Sequence, residues 1–140
     1  MAKVIGYWKL ESQDDQWDEY MKVCGVGFAT RQIGKRVSSW EDIKQDGDMW
    51  SLDITSTFKN TSLKFKLNEE FDEKTLDGRD VKSVFSIEDD KLVHYQKSLA
   101  VGIPDSVITR ELKDENTMIV TFTAIGKNVT SVRIFSKQKR

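Results

Sequence analysis

The sequence has few of the residues from which most catalytic, metal and disulfide sites are built. Its 140 residues include one cysteine, one histidine and one proline. Cys24 has no second cysteine with which to form an internal disulfide, and one cysteine with one histidine cannot make a structural zinc site. Nothing in the sequence brings Cys24 and His94 within hydrogen-bond reach, as a nucleophile and its base require. We therefore expect no metal and no enzyme, but a packed thiol and a half-exposed imidazole.

Other signals of cofactors and of location are also missing. The acidic residues are scattered through turns without the spacing of a calcium loop, and Gly25-Val26-Gly27 is too short to indicate a nucleotide loop. No cofactor is expected. No apolar run approaches the length of a membrane span, and the first six residues lack the apolar core of a signal peptide. With a single cysteine, these features predict a cytoplasmic protein.

The chain also lacks an excess of charge of either sign, since 22 basic and 23 acidic side chains leave a net charge of −1. Nucleic-acid binding rests on neutralising phosphates, so we expect no nucleic acid among the partners. A chain of this length suits one domain with a single core or a small barrel. We expect residues 1–140 to form that domain and to be monomeric.

The chain does contain an opening strand at residues 5–11, then two short helices, then a long series of alternating segments from Ser38 onward. Turn residues interrupt this series at intervals of roughly eight to twelve residues, which is typical of an antiparallel sandwich or barrel. The helical pair must cover something, and the open end of a barrel is the economical candidate. A barrel of this many strands has room for a ligand cavity.

The two helices are predicted from apolar stripes. Asp15 and Asp18 are spaced as in a capping box, and Gly25 is placed to end the first helix as a left-handed cap. The second helix is predicted over residues 27–36. The first stripe consists of Trp17, Tyr20, Met21 and Cys24; the second consists of Val26, Ala29, Ile33 and Val37. Both stripes are expected to pack against the sheet.

Two arginines stand on otherwise apolar strand faces near the end of the chain. Arg133 shares one face with Phe135, and Arg110 lies between Ile108 and Leu112. Each arginine either faces solvent or points into a shared interior that must then supply an anion, because buried arginines need partners. Glu111 and Asp77 are alternative partners, although alternation places Glu111 on the face opposite to Arg110.

Several motifs resemble the intracellular fatty-acid-binding protein family, and the likeness runs over nearly the whole chain. It is closest to the heart, muscle and myelin subgroup. The matching segments are Gly6-Tyr7-Trp8-Lys9-Leu10, Tyr20-Met21-Lys22, Gly25-Val26-Gly27-Phe28-Ala29-Thr30-Arg31-Gln32, Ser56-Thr57-Phe58-Lys59-Asn60-Thr61, Arg110-Glu111-Leu112 and Arg133-Ile134-Phe135. The resemblance implies a mainly β fold: a ten-stranded antiparallel up-and-down β-barrel of the calycin or lipocalin-like type, capped by a helix-turn-helix lid at about residues 15–37.

The resemblance also implies a carrier that binds one long-chain fatty acid inside the barrel for solubilisation and transport. By that likeness Arg133 binds the carboxylate directly and Arg110 assists, through water. Phe58 lies at the portal, and Trp17 and Met21 lie on the lid. The residues that line the path of the acyl chain are Ile54, Leu76, Val120 and Phe122.

The chain departs from the family pattern at three places. Phe135 stands where tyrosine is common, which removes one hydroxyl donor, and a neutral hydrogen bond contributes about 0.5–1.5 kcal/mol. Trp17 replaces a smaller ring and is expected to narrow the mouth or shorten the preferred chain. The link over residues 98–105 is longer than expected and holds the only proline, as suits a loop.

Three other functions stay open at this stage. In the first alternative, the protein carries another hydrophobic ligand such as a retinoid, although a retinoid alcohol would not need two cations in the cavity. Alternatively, Lys22, Arg31, Lys35 and Arg36 make the lid a docking surface for anionic membranes in lipid exchange, a transient contact. A lipid-modifying enzyme is the remaining alternative.

Overall fold

The computed structural model describes residues 3–140, which form ten β-strands and two α-helices. The helices are α1 (Trp17–Val23) and α2 (Phe28–Gly34). The strands are β1 (Gly6–Gln13), β2 (Ser39–Asp46), β3 (Met49–Ser56), β4 (Thr61–Lys66), β5 (Phe71–Lys74), β6 (Asp80–Glu88), β7 (Lys91–Ser98), β8 (Ser106–Asp114), β9 (Thr117–Ala124) and β10 (Val129–Lys137).

All ten strands belong to one antiparallel sheet in the order β4-β3-β2-β1-β10-β9-β8-β7-β6-β5. Each strand pairs with the next strand of the chain except at one place, between β4 and β5. The first and last strands pair with each other, whereas β4 and β5 are the two edges. Aromatic rings span this gap: Phe65 of β4 stacks on Phe71 of β5, with ring centroids 6.0 Å apart, and on Phe85 of β6 at 3.8 Å. The sheet therefore closes into the predicted barrel.

Alternation along the strands divides the interior from the outer surface. In β10 the side chains of Ser131, Arg133 and Phe135 are buried, while Val132 and Ile134 are partly exposed on the other face. Large apolar side chains fill the half of the barrel away from the helices, where Trp8, Ile43, Phe85 and Phe135 are completely buried. This half is a packed core, so any cavity must lie nearer the helices.

The first helix follows its predicted stripe, but its predicted cap is wrong. Tyr20, Met21 and Cys24 are buried, yet Gln16 is the N-cap residue and no side chain caps the helix. The Asp14 carboxylate accepts hydrogen bonds from Ser131 Oγ (2.8 Å), the Val132 backbone N–H (2.9 Å) and the Gln16 N–H (3.1 Å). Asp14 thus ties the chain entering α1 to β10, the strand that carries Arg133.

The predicted stripe of the second helix is wrong at its centre. Ala29 and Ile33 are exposed, Ile33 by 44%, because α2 covers the mouth of the barrel instead of lying flat on the sheet. Thr30 and Gly34 face the interior in their place. A β-carbon on Gly34 would lie 2.8 Å from Met21 Sδ, so glycine allows α1 and α2 to approach each other closely.

The long link between β7 and β8 is a loop, as its proline predicts, and it is anchored at both ends. The Asp105 carboxylate accepts hydrogen bonds from Tyr95 Oη (2.7 Å) and from the Ser98 backbone N–H (2.8 Å). Ile103 packs against Gly25, which follows α1 with φ of +89°, a left-handed conformation that favours glycine. The loop therefore supports the turn between the helices.

Candidate functional site

A cavity of about 180 Å³ lies between the two helices and the packed half of the barrel. This volume is many times the roughly 10–15 Å³ that one water molecule needs. Its walls are mostly apolar, with a few charged and polar groups on the inner faces of the strands. Such a mixture is typical of pockets for small molecules, in which the apolar wall supplies affinity and the polar groups fix orientation.

Most of the residues predicted for a ligand site meet at this cavity. Those that line it are Trp17, Met21, Ile54, Phe58, Leu76, Arg110, Phe122 and Arg133. They come from α1, β3, β8, β9, β10 and two turns, so only the closed barrel brings them together. The turns at Phe58 and Leu76 and the two helices surround the same end of the barrel.

Val120, predicted for the acyl path, and Phe135, predicted for the ligand motif with Arg133, do not line the cavity. Val120 is paired directly with Arg133 between β9 and β10, and Phe135 follows two residues later on the same inner face. Both side chains are completely buried in the core cluster. Alternation correctly points them inward, but at this depth neighbouring side chains already fill the barrel.

Arg133 is a buried cation at the edge of the cavity. Its Nε donates to Gln13 Oε1 at 3.1 Å, and its guanidinium lies over the Trp17 ring, 4.1 Å from the centroid. Burial lowers the pKa of Arg133 to about 10, an effect that the charge of Glu41 opposes, so the group is charged at pH 7. Its Nη2 has no hydrogen-bond partner among residues 3–140. A buried, incompletely bonded guanidinium favours an anion beside it.

Arg110 has an internal carboxylate partner that the sequence reasoning missed. Its Nε and Nη2 donate to the two carboxylate oxygens of Glu41 at 2.8 and 3.3 Å, and both side chains are buried. Asp77 instead accepts from Arg79, with Nε to Oδ2 at 2.7 Å, and Glu111 pairs with Lys91 at 3.7 Å. The anion that Arg110 needs is therefore supplied by β2.

A second polar cluster surrounds Glu73 on strands β5, β6 and β7, and sequence reasoning missed it too. Glu73 Oε1 accepts from Ser83 Oγ (2.6 Å), His94 Nε2 (2.9 Å) and Gln96 Nε2 (3.2 Å). His94 is only 2% exposed and stacks on Phe85, which corrects the expected half-exposed imidazole. The period of two along β7, which places His94 and Gln96 on one face, was the available signal.

The only histidine and the only cysteine have separate partners. Cys24 Sγ lies 3.6 Å from Ser106 Oγ, which also accepts a hydrogen bond from Tyr20 Oη at 2.9 Å. His94 is bonded to Glu73 and Ser83. Within residues 3–140, no three His, Cys, Asp or Glu side chains are grouped so as to hold a metal ion, and neither helix is long enough to cross a bilayer.

Trp17 connects the helices to the charged wall. Its indole N–H donates to the Gly34 carbonyl at 3.2 Å, which joins α1 to the end of α2. Its ring contacts Phe122 edge to face, with centroids 4.8 Å apart, and covers the Arg133 guanidinium. A cation beneath an indole gains about 0.5–2 kcal/mol. The same side chain thus closes the mouth and orients Arg133.

Comparison with known proteins gives consistent matches over most or nearly all of the chain. The family described as "Lipocalin / cytosolic fatty-acid binding protein family" matches residues 5–139. Fatty acid-binding protein homolog 6 of Caenorhabditis elegans is 45% identical over 111 residues, which cover 79% of this chain and 82% of that protein. A fatty acid-binding protein of Tyrophagus putrescentiae is 39% identical over 139 residues, which cover 99% and 100%.

A solved structure shows the same architecture. The Schistosoma mansoni fatty acid binding protein in complex with arachidonic acid superimposes with a TM-score of 0.90 at 40% identity, covering 99% of this chain and 98% of that one. The match therefore extends over almost the whole length of both chains.

Proposed function

The chain belongs to the lipocalin and cytosolic fatty-acid binding protein family, and on that premise we propose that it carries one long-chain fatty acid inside the barrel. No bond is made or broken in this role, so the protein is a carrier and not an enzyme. The whole of residues 1–140 acts as one binding domain, as a monomer in the cytoplasm. The observation that carries the proposal is the buried, incompletely bonded guanidinium of Arg133 at the edge of a mostly apolar cavity.

In this proposal the ligand carboxylate binds Arg133 directly, and Arg110 assists only indirectly, through water, because its Nε and Nη2 are bonded to Glu41. A charge-assisted hydrogen bond to the carboxylate offsets part of the cost of burying Arg133. The acyl chain gains about 0.8 kcal/mol for each methylene that it buries against the apolar wall. Ile54, Phe58, Leu76 and Phe122 supply that wall. An alcohol of the same length gains the same free energy from burying its methylenes but loses most of the charge-assisted hydrogen bonding to Arg133.

The outer face of the lid favours transient contact with anionic membranes during ligand exchange. Phe28 is 70% exposed and Ile33 is also exposed, beside the exposed basic residues Lys22 and Arg36. Asp18 neutralises part of the basic charge, since Arg31 and Lys35 pair with it at 3.0 and 3.7 Å. Apolar side chains flanked by free basic ones suit a lipid surface.

The test is a calorimetric titration of the delipidated protein with oleic acid and with oleyl alcohol, repeated with Arg133→Gln. We expect one acid per protein, weaker binding of the alcohol, and loss of that difference in the variant. A hydrogen bond to a charged group contributes about 1.5–3 kcal/mol, so Arg133→Gln is expected to weaken acid binding roughly ten- to hundredfold.

Arg36→Gln is the matched control, because it removes an exposed guanidinium of the lid. It is expected to leave the affinity for oleic acid unchanged. Equal binding of acid and alcohol that Arg133→Gln does not alter would contradict carboxylate recognition and would favour a neutral ligand such as a retinoid alcohol.

A further inference from the structure

Glu41 is a buried carboxylate within the ligand cavity. It belongs to β2, lines the cavity, and is 4% exposed. Its neighbours on β2 include Ser39, which also faces inward, and Asp42, which instead pairs with Lys44 and Arg140 outside. An ionised carboxylate is costly to bury unless a cation accompanies it. Its place in the cavity therefore needs an explanation beyond ordinary packing.

The partner of Glu41 is Arg110, 69 residues away in the chain. The two carboxylate oxygens receive Nε and Nη2 of the guanidinium at 2.8 and 3.3 Å, a two-pronged arrangement. A fatty-acid carboxylate bound to Arg110 would use the same donors, because this fork is the geometry by which arginine binds any carboxylate. Glu41 thus stands where such a ligand group would otherwise bind.

The two inward arginines are unequal as a result. Nε and Nη2 of Arg110 are both bonded to Glu41, whereas Arg133 is bonded through Nε to a neutral amide, Gln13. The positive charge of Arg110 is balanced by a directly bonded carboxylate, while no carboxylate is bonded to Arg133 among residues 3–140. Each guanidinium keeps one buried nitrogen without a hydrogen-bond partner among residues 3–140, Nη2 of Arg133 and Nη1 of Arg110. Only the charge of Arg110 is balanced by a bonded carboxylate, so an incoming anion is attracted more strongly to Arg133.

We propose that Glu41 is a specificity-determining residue, an internal carboxylate that occupies Arg110 in place of the ligand and leaves Arg133 to bind the acid. This inference rests on the proposed function. With one arginine available instead of two, the cavity distinguishes an acid from a neutral lipid of equal length less sharply. Neutral polar lipids, such as fatty alcohols, are therefore weaker but real ligands of this chain.

The alternative role for Glu41 is only to compensate the charge of Arg110. Both roles predict that removing Glu41 alone lowers the stability of the protein, because it leaves a buried guanidinium without its partner. They differ in what happens to the affinity for an acid. A released Arg110 gains a ligand carboxylate in our account, and acid affinity rises although the protein is less stable.

The experiment measures the affinity for oleic acid and for oleyl alcohol in the wild type, Glu41→Gln, Arg110→Gln and the double variant. We expect Glu41→Gln to bind the acid at least about fivefold more tightly, with little change for the alcohol, since one further charge-assisted bond forms. Adding Arg110→Gln to Glu41→Gln is expected to remove that gain. The double variant is expected to bind the acid within about threefold of the wild type, because a neutral amide pair replaces a neutralised ion pair.

Glu73→Gln is the matched control, since it also removes a buried carboxylate from the cavity wall but releases no arginine. It is expected to show no comparable gain for the acid. Thermal unfolding of each variant identifies any that fail to fold. If Glu41→Gln fails to fold, the double variant, in which removal of Glu41 leaves no guanidinium without its partner, still tests whether Arg110 contacts the ligand.

The proposal is overturned if Glu41→Gln folds and binds the acid no better than the wild type. It is also overturned if the double variant loses acid binding as completely as Arg133→Gln, because Arg110 would then be a ligand contact in the wild type. If the wild type itself binds no acid, the proposed function fails instead, and the two failures are thereby distinguished.

Discussion

His94 is a titratable side chain held neutral inside the barrel. It stacks on Phe85, with ring centroids 3.9 Å apart, and its Nε2 lies 2.9 Å from Glu73 Oε1. Burial lowers the pKa of His94, although the nearby Glu73 carboxylate opposes that effect. Burial raises the pKa of Glu73, but hydrogen bonds from His94, Ser83 and Gln96 outweigh it, so this pKa lies below its ordinary value. At pH 7 a neutral imidazole therefore donates to a carboxylate.

Both shifts make the folded protein less stable in acid. An imidazole in the unfolded chain binds its proton at about pH 6.5, before the buried His94 does, so stability falls as the pH drops below that value. The Glu73 contribution is present above about pH 4.3 and is lost as the pH falls through the lowered pKa of the folded state. The two residues therefore act in successive pH windows.

His94→Gln is expected to flatten the upper of these two windows. Urea unfolding between about pH 7 and pH 5.5 gives the slope, which reaches at most about 1.4 kcal/mol per pH unit for one proton. His94 is the only histidine of the chain, so no other imidazole contributes to this slope. Parallel pH profiles of the wild type and the variant would contradict the assignment of a buried, neutral His94.

Within the lid, α1 is the helix that connects α2 to the candidate ligand site. Trp17 donates to the Gly34 carbonyl of α2 and covers Arg133, while Met21 packs beneath Gly34. Opening the mouth separates these contacts, because both helices lie over the cavity. In the proposed carrier, we therefore expect the rate of ligand release to depend in part on the contacts that Trp17 makes.

Two substitutions of Trp17 separate these contacts. Trp17→Phe keeps a ring over Arg133 but loses the hydrogen bond to Gly34, and we expect release to become about two- to tenfold faster. Trp17→Leu also loses the cation–π contact and is expected to release ligand faster still. Stopped-flow transfer of a fluorescent fatty acid to anionic vesicles measures the rate, with Trp40→Leu on β2 as the control. Unchanged rates of ligand release in both variants would exclude Trp17 as a contact that closes the mouth.

The same transfer measurement tests membrane contact: a transfer rate that rises with vesicle concentration supports direct contact of the lid with the membrane.

The elements were largely predictable, because their signals are local. Turn residues mark every hairpin between β2 and β4, and the period of two places Arg110 and Arg133 on inner faces. The prediction that the apolar stripe of α2 is buried was wrong, because a helix that covers the mouth of a barrel has less surface to pack against than a helix that lies on a sheet. Ile33 is exposed for that reason.

The pairing of side chains across the barrel was not predictable from the sequence. Glu41 and Arg110 meet only because β2 and β8 face each other after closure, and no periodicity relates their positions. The boundary between the packed core and the cavity could not be predicted for the same reason. Arg133 lines the cavity while Phe135, two residues on and on the same face, belongs to the core. Depth along the barrel axis decides between them.

At the scale of the whole molecule, the interior is divided along the barrel axis. Aromatic and aliphatic side chains fill the half away from the helices and stabilise the fold, including the gap between β4 and β5. The other half keeps a cavity with one guanidinium that lacks a bonded carboxylate, that of Arg133, and three carboxylates that have partners, those of Glu41, Glu73 and Asp77. In the proposed carrier, this division allows a ligand to bind without repacking of the core.

In the proposed function, Arg133 binds an ionised ligand carboxylate inside the barrel. The most direct measurement is the NMR chemical shift of a carbon-13-labelled oleic acid carboxyl group in the complex, followed from about pH 8 to about pH 4.5. A neighbouring guanidinium lowers the pKa of a carboxyl group, so we predict a resonance that stays at its ionised position throughout this range and begins to titrate in Arg133→Gln. A wild-type resonance that titrates near pH 4–5, as a solvent-exposed carboxyl group does, would contradict the account.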